Sequence, residues 1–176
     1  MKYWVITDSH FGHNRLNKFE QRKDNWENIL FNSMKNQIKP EDTLIHLGDV
    51  SFTNHEYYHR ILTSFCKNNI LCHGNHEKES NTKYYSYSWN VIVESFNIKI
   101  YGKNIIFSHK PVKTELNQIN IHGHFHKENL ENCFNHEPEL KQIYTDRNIR
   151  MCFSNELIRL KSIIKQINKG ITKINF

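Results

Sequence analysis

Eight side chains of metal-binding type fall in short clusters along the 176-residue chain: Asp8 and His10, Asp49, Asn75 and His76, His109, and His124 and His126. Imidazole, carboxylate and amide donors without a thiolate favour Mn, Fe, Zn, Ni or Co over a cysteine-lined zinc site. One chemistry open to such a set is phosphoester hydrolysis. It needs a nucleophile at neutral pH and charge stabilisation for the phosphoryl oxygens, and two cations about 3.5–4 Å apart supply both. Two carboxylates and one hydroxide facing two divalent ions leave the site net positive, which suits an anionic substrate. Taken alone, each cluster has an ordinary reading: Asp8-Ser9-His10 as a strand-to-helix cap, Gly48-Asp49 and Gly74-Asn75 as turns, and His109 as a hydrogen-bonded histidine before Pro111.

What gives the clusters weight is where the chain places them. Strands are expected at Tyr3 to Thr7, Thr43 to Leu47, Asn69 to Cys72, across Val91 to Ser108 with a turn near Gly102, at Ile119 to His122 and at Ile149 to Phe153. Helices are expected from Asn14 to Asn36, Asn54 to Lys67 and Glu156 to Lys169, the first stopped before Pro40. Each cluster then follows the C-terminal end of a strand, where α/β folds build their sites. Side chains two apart on extended backbone share a side, so Asp8 with His10, and His124 with His126, are each expected to aim at one place. Lys127 to Asn148 shows no clear periodicity and contains Pro138, so it is expected to be a long surface loop.

Composition allows this reading and narrows it. The length suits a single domain spanning residues 1–176. Lysine and arginine exceed aspartate and glutamate by 24 − 18 = 6, which favours an anionic partner such as a phosphate, nucleotide or nucleic acid. Cys66, Cys72, Cys133 and Cys152 lack paired CxxC spacing, and reduced thiols are expected. The amino terminus enters a strand-like run at once, without the apolar stretch of a leader or membrane span, so a cytoplasmic protein with no membrane partner is expected.

In order, Asp8-Ser9-His10, Gly48-Asp49, Gly74-Asn75-His76-Glu77, His109 and Gly123-His124-Phe125-His126 resemble the five blocks of the calcineurin-like metallophosphoesterase superfamily, DxH, GD, GNH with an acid, a lone His and GHxH. The resemblance implies an α/β fold, a four-layer αββα sandwich of two mixed β-sheets flanked by helices. It also implies a dinuclear centre, with Asp8, His10 and His126 holding one ion, Asn75, His109 and His124 the other, and Asp49 bridging them. Mn²⁺ is the metal expected by family habit, with Fe, Zn, Ni or Co as alternatives. His76 would protonate the leaving oxygen while a metal-bridging hydroxide attacks, with Glu77 orienting His76. The family often has a second acid after GD (GDxxD), where this chain has Phe52, which unsettles the orientation of His76.

His13, Asn14, Arg15 and His122 lie beside the blocks and are candidates to touch the phosphate. The expected activity is hydrolysis of a nucleotide or nucleic-acid phosphodiester, because a poor alkoxide leaving group benefits from an acid such as His76. A phosphomonoesterase is the alternative. A distant one is a zinc protease, because His55-Glu56-Tyr57-Tyr58-His59 matches HExxH, whose two histidines share a helix face.

Overall fold

The structure is a computed structural model that describes residues 1–15, 22–126, 128–152 and 157–174. Short apolar and β-branched runs form its strands. In the first sheet β1 (Tyr3–Ile6), β2 (Thr43–His46), β3 (Asn68–Cys72) and β4 (Val91–Val93) are parallel neighbours, and β9 (Ile158–Arg159) lies antiparallel on the free edge of β1. The second sheet has the order β10-β8-β7-β6-β5, from β5 (Ser95–Ile100), β6 (Lys103–Ser108), β7 (Gln118–His122), β8 (Asn148–Met151) and β10 (Lys173–Ile174). Its β5–β6 pair is an antiparallel hairpin and the other pairs are parallel, so both five-stranded sheets are mixed.

Alternation along the strands assigns the two faces. Trp4, Ile6, Leu44 and Leu71 pack with Leu30 and Met34 of α1 (Trp26–Gln37) and Leu62 of α2 (His55–Ser64). On the opposite face Val5, Ile45, Leu47 and Cys72 pack with Ile105, Phe107, Ile121, Ile149 and Met151, so the two sheets meet through an aliphatic layer. Each of these side chains, once buried, stabilises the sandwich by about 1.5–3 kcal/mol relative to exposure. Two mixed sheets flanked by helices form the α/β sandwich that the resemblance implied. Among the described residues no helix is long and apolar enough to cross a membrane.

Several boundaries differ from the sequence reading, each for a local reason. The helix expected from Asn14 to Asn36 is not continuous, because Asn25 takes a left-handed conformation and α1 starts only at Trp26. Residues 16–21 of that expectation lie outside the described residues. The helix expected from Glu156 gives way to β9 at Ile158–Arg159 and then α6 (Leu160–Ile167), while Phe153 and Glu156 are outside the described residues. Helix α3 (Asn81–Ser86), whose first turn Ser80 caps by accepting from the Lys83 amide, was not expected.

The stretch from Lys127 to Asn148 is not a structureless loop: it holds α4 (Leu130–His136) and α5 (Pro138–Lys141). Asn129 caps α4 through the Asn132 amide, and Pro138 opens α5. Both are helix-start signals readable in the sequence. The two helices seat Cys133 and Leu140 against Phe125, inside the last motif.

Candidate metal centre

The loops leaving β1, β2, β3, β6 and β7 bring the predicted donors together. His10 Nε2 lies 3.2 Å from His126 Nε2, and His126 Nε2 lies 3.6 Å from Asp8 Oδ1. On the other side His109 Nε2 lies 3.0 Å from both Asn75 Oδ1 and His124 Nδ1. Asp49 Oδ2 stands between the groups, 3.5 Å from His10 Nε2 and 3.5 Å from His109 Nε2. His76 Nε2 is 3.9 Å from the same oxygen, at the half-buried edge of the cluster.

Asp8 and His10 do converge, and so do His124 and His126, but not because they sit on extended backbone. All four, with Asp49, have positive φ, from 44° at His126 to 67° at His124. Five of the nine non-glycine residues with positive φ among those described are thus candidate ligands. Such a conformation costs about 1 kcal/mol or more per residue, so the loops are held in shape by their surroundings.

Those surroundings are specific. Glu77 does not orient His76. Its buried carboxylate accepts the amides of Asp49 (2.7 Å), Val50 (2.8 Å) and Gly74 (2.7 Å), lacing the second motif loop to the third. Arg22 donates to the carbonyls of Asp8 (2.9 Å) and Ser9 while stacking on Trp26, and so holds the first loop from below. His46 accepts the Gly48 amide on Nδ1 (3.1 Å) and so donates from Nε2 to Ser9 Oγ (2.5 Å). The Asp8 carboxylate accepts the His124 amide at 3.0–3.1 Å, joining the first motif to the last. No sequence signal marks Arg22, whose role comes only from tertiary contact.

Electrostatics and tautomers show what the cluster lacks. His109 Nδ1 donates to the Leu47 carbonyl (2.8 Å), which leaves Nε2 with only a lone pair. That lone pair faces two further acceptors, Asn75 Oδ1 at 3.0 Å and Asp49 Oδ2 at 3.5 Å. Burial, then the charges of Asp8 and Glu77, push the Asp49 carboxyl up to about 8. Burial also pushes His10 down to about 3 and His109 to about 4, so both rings are neutral at physiological pH. For Asp8 burial acts upward but is outweighed by His126, His109, His10 and the Thr7 hydroxyl, which hold it below the ordinary carboxylate range. Acceptors converging on a buried carboxyl that keeps its proton near neutral pH fit divalent cations, which displace that proton and take up the lone pairs around it. Donor triads within 4.8 Å of one another occur at Asp8, His10 and His126, at His10, Asp49 and His76, and at Asp8, Asp49 and His109.

The remaining expected residues divide. His13 is half-buried at the site mouth, its ring 4.2 Å from Phe52 and 6.4 Å from His10. Asn14 and Arg15 are exposed in the helical turn that begins just after His13, where a helix was expected to start. His122, expected beside the phosphate, is instead fully buried under Phe125 and Tyr144, with Nδ1 donating to the Gly123 carbonyl. Strand β7 ends at His122, and the turn through Gly123 sends His124 in a new direction. Phe52, in place of the second acid, is 47% exposed with its ring 5.9 Å from His76, so it puts an apolar face where the family often has a charge.

The HExxH pair builds no zinc-protease site. His59 is fully buried, accepting Trp89 Nε1–H on Nδ1 (2.9 Å) between Tyr84 and Tyr87, while His55 pairs with Ser51 (2.8 Å). His59 packs α2 and leaves no accessible face for a substrate.

Three buried histidines outside the expected ligand set, His46, His59 and His122, give a test of the fold. Burial pushes each down to about 3. An unfolded histidine titrates near about 6.5, so between that pH and about 3 the unfolded chain takes up protons that the folded one refuses. Their contribution to stability is whole above pH ~6.5 and is lost as pH falls. Asp49 and Glu77, both raised in the fold by burial, work the opposite way, but they are two groups against these three, to which the lowered His10 and His109 add. The urea midpoint of the metal-free protein should therefore drop steeply from about pH 7 to about pH 4. A flat profile would contradict the burial of these rings.

Comparison with known proteins supports the same family. Residues 1–165 match the family of calcineurin-like phosphoesterases. A protein of unknown function from Aquifex aeolicus is similar in structure, with a TM-score of 0.67 at 25% identity over 94% of this chain and 98% of that one. Fainter likenesses are to Yfce, a phosphoesterase from E. coli (TM-score 0.49, 13% identity, 70% of this chain and 69% of that one), and to an archaeal phosphodiesterase (TM-score 0.42, 17% identity, 74% and 76%). No curated protein matches the chain. With the match running across nearly all of its length, the chain belongs to the calcineurin-like phosphoesterase family and is a metal-dependent phosphoesterase.

Proposed function

We propose that the protein is a cytoplasmic phosphodiesterase that uses two divalent cations, Mn²⁺ foremost, to hydrolyse a nucleotide or nucleic-acid phosphodiester. The observation that carries this reading is Asp49 Oδ2, 3.5 Å from His10 Nε2 on one side and 3.5 Å from His109 Nε2 on the other. A carboxylate so placed is suited to bridge two ions. Asp8, His10 and His126 would hold one, and Asn75, His109 and His124 the other. Bound there, the pair supplies a hydroxide nucleophile at neutral pH and neutralises phosphoryl charge.

The chain's own residues do the rest. His76 is fixed by its amide, which donates to Asp49 Oδ1 (2.9 Å), and its half-buried ring stands at the open edge, placed to give a proton to the leaving oxygen. Burial and Lys78 lower its affinity for a proton, and an anionic phosphate beside it acts in the opposite sense, so protonation accompanies substrate binding. Phe52 and His13, their rings tilted 47° to each other, place aromatic faces next to His76, which supports a leaving group that carries a base. On the far side a cavity of about 270 Å³ is lined by His73, Asn75, His109 and Lys110, leaving room for the rest of the diester. Four cysteines, all free and buried, suit a reducing compartment.

The test is a panel with Mn²⁺: bis-p-nitrophenyl phosphate, p-nitrophenyl phosphate, 2′,3′- and 3′,5′-cyclic nucleotides, and single- and double-stranded DNA and RNA. Hydrolysis of the monoester alone would make the protein a phosphomonoesterase. His76→Ala should slow diesters with alkoxide leaving groups by about 10²–10⁴-fold and nitrophenyl diesters far less. Equal losses on both would remove the acid role.

A further inference from the structure

The segment that carries no family block delivers a carboxylate to the candidate centre. Glu137 sits at the junction of α4 and α5, with its amide bonded to the Cys133 carbonyl (3.0 Å) and its carbonyl accepting from Leu140 (3.1 Å). Cys133 and Leu140 pack in turn on Phe125, the residue after His124. The backbone of Glu137 is therefore fixed relative to the last motif. One oxygen of its side chain meets His124 Nε2, and the other meets the Lys110 ammonium, one residue after His109. The other nitrogen of His124, Nδ1, faces His109 Nε2 at 3.0 Å.

The two nitrogens of His124 thus face opposite ways, one into the donor cluster and one towards a carboxylate. A neutral imidazole carries one N–H, and a carboxylate partner draws that hydrogen to the nitrogen it faces. We propose that Glu137 is a positioning residue for His124: by accepting Nε2–H it keeps the Nδ1 lone pair aimed at the cluster, and Lys110 holds the carboxylate in place. The short helices at 130–141 then act as a brace for the metal centre. This rests on the reading that His124 is a metal ligand. A carboxylate behind a ligating histidine changes metal affinity by about 10–100-fold in other sites.

Two measurements test it. Calorimetric titration of metal-free wild type, Glu137→Ala, Glu137→Gln and Lys110→Met with Mn²⁺ should show one of two binding events weakened about 10–100-fold in Glu137→Ala. The other event should hold its affinity. Glu137→Gln should recover part of the loss, because its amide oxygen still accepts, and Lys110→Met should fall between wild type and Glu137→Ala. Unchanged affinity in Glu137→Ala, or an equal loss at both events alongside a lower melting temperature of the metal-free protein, would overturn the proposal.

The second measurement is the tautomer of His124 in metal-free protein, read from long-range ¹H–¹⁵N correlations. Wild type should carry the proton on Nε2 and Glu137→Ala a mixture, whereas a proton on Nδ1 in wild type overturns the inference. Absence of Mn²⁺ binding in wild type would instead sink the dinuclear reading, and the tautomer would still decide the role of Glu137.

Discussion

Asp49→Asn should abolish Mn²⁺-dependent hydrolysis, by at least about 10³-fold, while leaving the protein folded. The substitution keeps an oxygen to accept the His76 amide, now at 2.9 Å from Oδ1. It replaces Oδ2 with an amide nitrogen, and the lone pair of His109 Nε2, 3.5 Å away, gains a hydrogen-bond donor where a cation would sit. The site closes on itself and loses the one charge placed to serve both ions. Several kcal/mol of charge stabilisation disappear with them, and each 1.36 kcal/mol is about tenfold in rate.

A second readout has the opposite sign. Asp49 is pushed up to about 8 in the fold by burial, Asp8 and Glu77, against a value near 3.8 when unfolded. A raised acid destabilises the fold progressively as pH rises from about 4 to about 8. The neutral variant escapes that loss, so metal-free Asp49→Asn should melt at or above the wild-type temperature at pH 8. Added Mn²⁺ should raise the melting temperature of wild type and not of the variant. Retained activity, or a metal-induced shift in the variant, would count against a bridging Asp49.

Gly74→Ala is expected to be as damaging by another route. A Cβ there would lie 2.2 Å from Asp49 Oδ1, 2.5 Å from the Asp49 amide and 2.7 Å from Glu77 Oε2. None of the three can retreat cheaply, because the Asp49 amide and the Glu77 carboxylate are bonded to each other and Asp49 Oδ1 holds His76. Overpacking of a tight interior costs about 1–3 kcal/mol, and here the displaced atoms are the candidate bridge and the carboxylate that laces two loops. Stability should fall by about that amount, and Mn²⁺-dependent turnover should vanish. Gly102→Ala is the control: unlike Gly74 it has positive φ (73°), but a Cβ there meets nothing within 4 Å. It should cost about 1 kcal/mol of stability and leave turnover intact. Matching losses of activity in the two variants would show that crowding at Gly74 is not the cause.

Much of this centre was legible because its chemistry needs scarce residue types at strand ends, and strands announce themselves locally. Asp8, His10, Asp49, Asn75, His109, His124 and His126 do come together in the structure. The reason offered for two of the pairs, a shared face of extended backbone, was wrong, since left-handed turns aim them. Spacing was a poor guide to His122, two residues before His124 yet buried, because the strand ends between them. Arg22, Glu137 and the role of Glu77 were out of reach for one reason: each acts through contacts with residues distant in sequence. No local pattern records that an arginine will reach under Asp8 and Ser9, or that an acid before Pro138 will meet His124. The helices carrying Glu137 were missed because they are only 7 and 4 residues long, too short for a period to declare itself.

The left-handed backbone at five of the donors bears on how such an enzyme could be engineered for heat tolerance. Glycine at His10, His124 or His126 would relax the turn without removing a carboxylate that braces the loops and, in a selection that rewards survival on heating alone, would be enriched wherever that relief exceeds the packing and chain entropy lost. Every such winner would be a hardier protein with a dead centre, so a thermal screen on this scaffold has to score turnover in the same round.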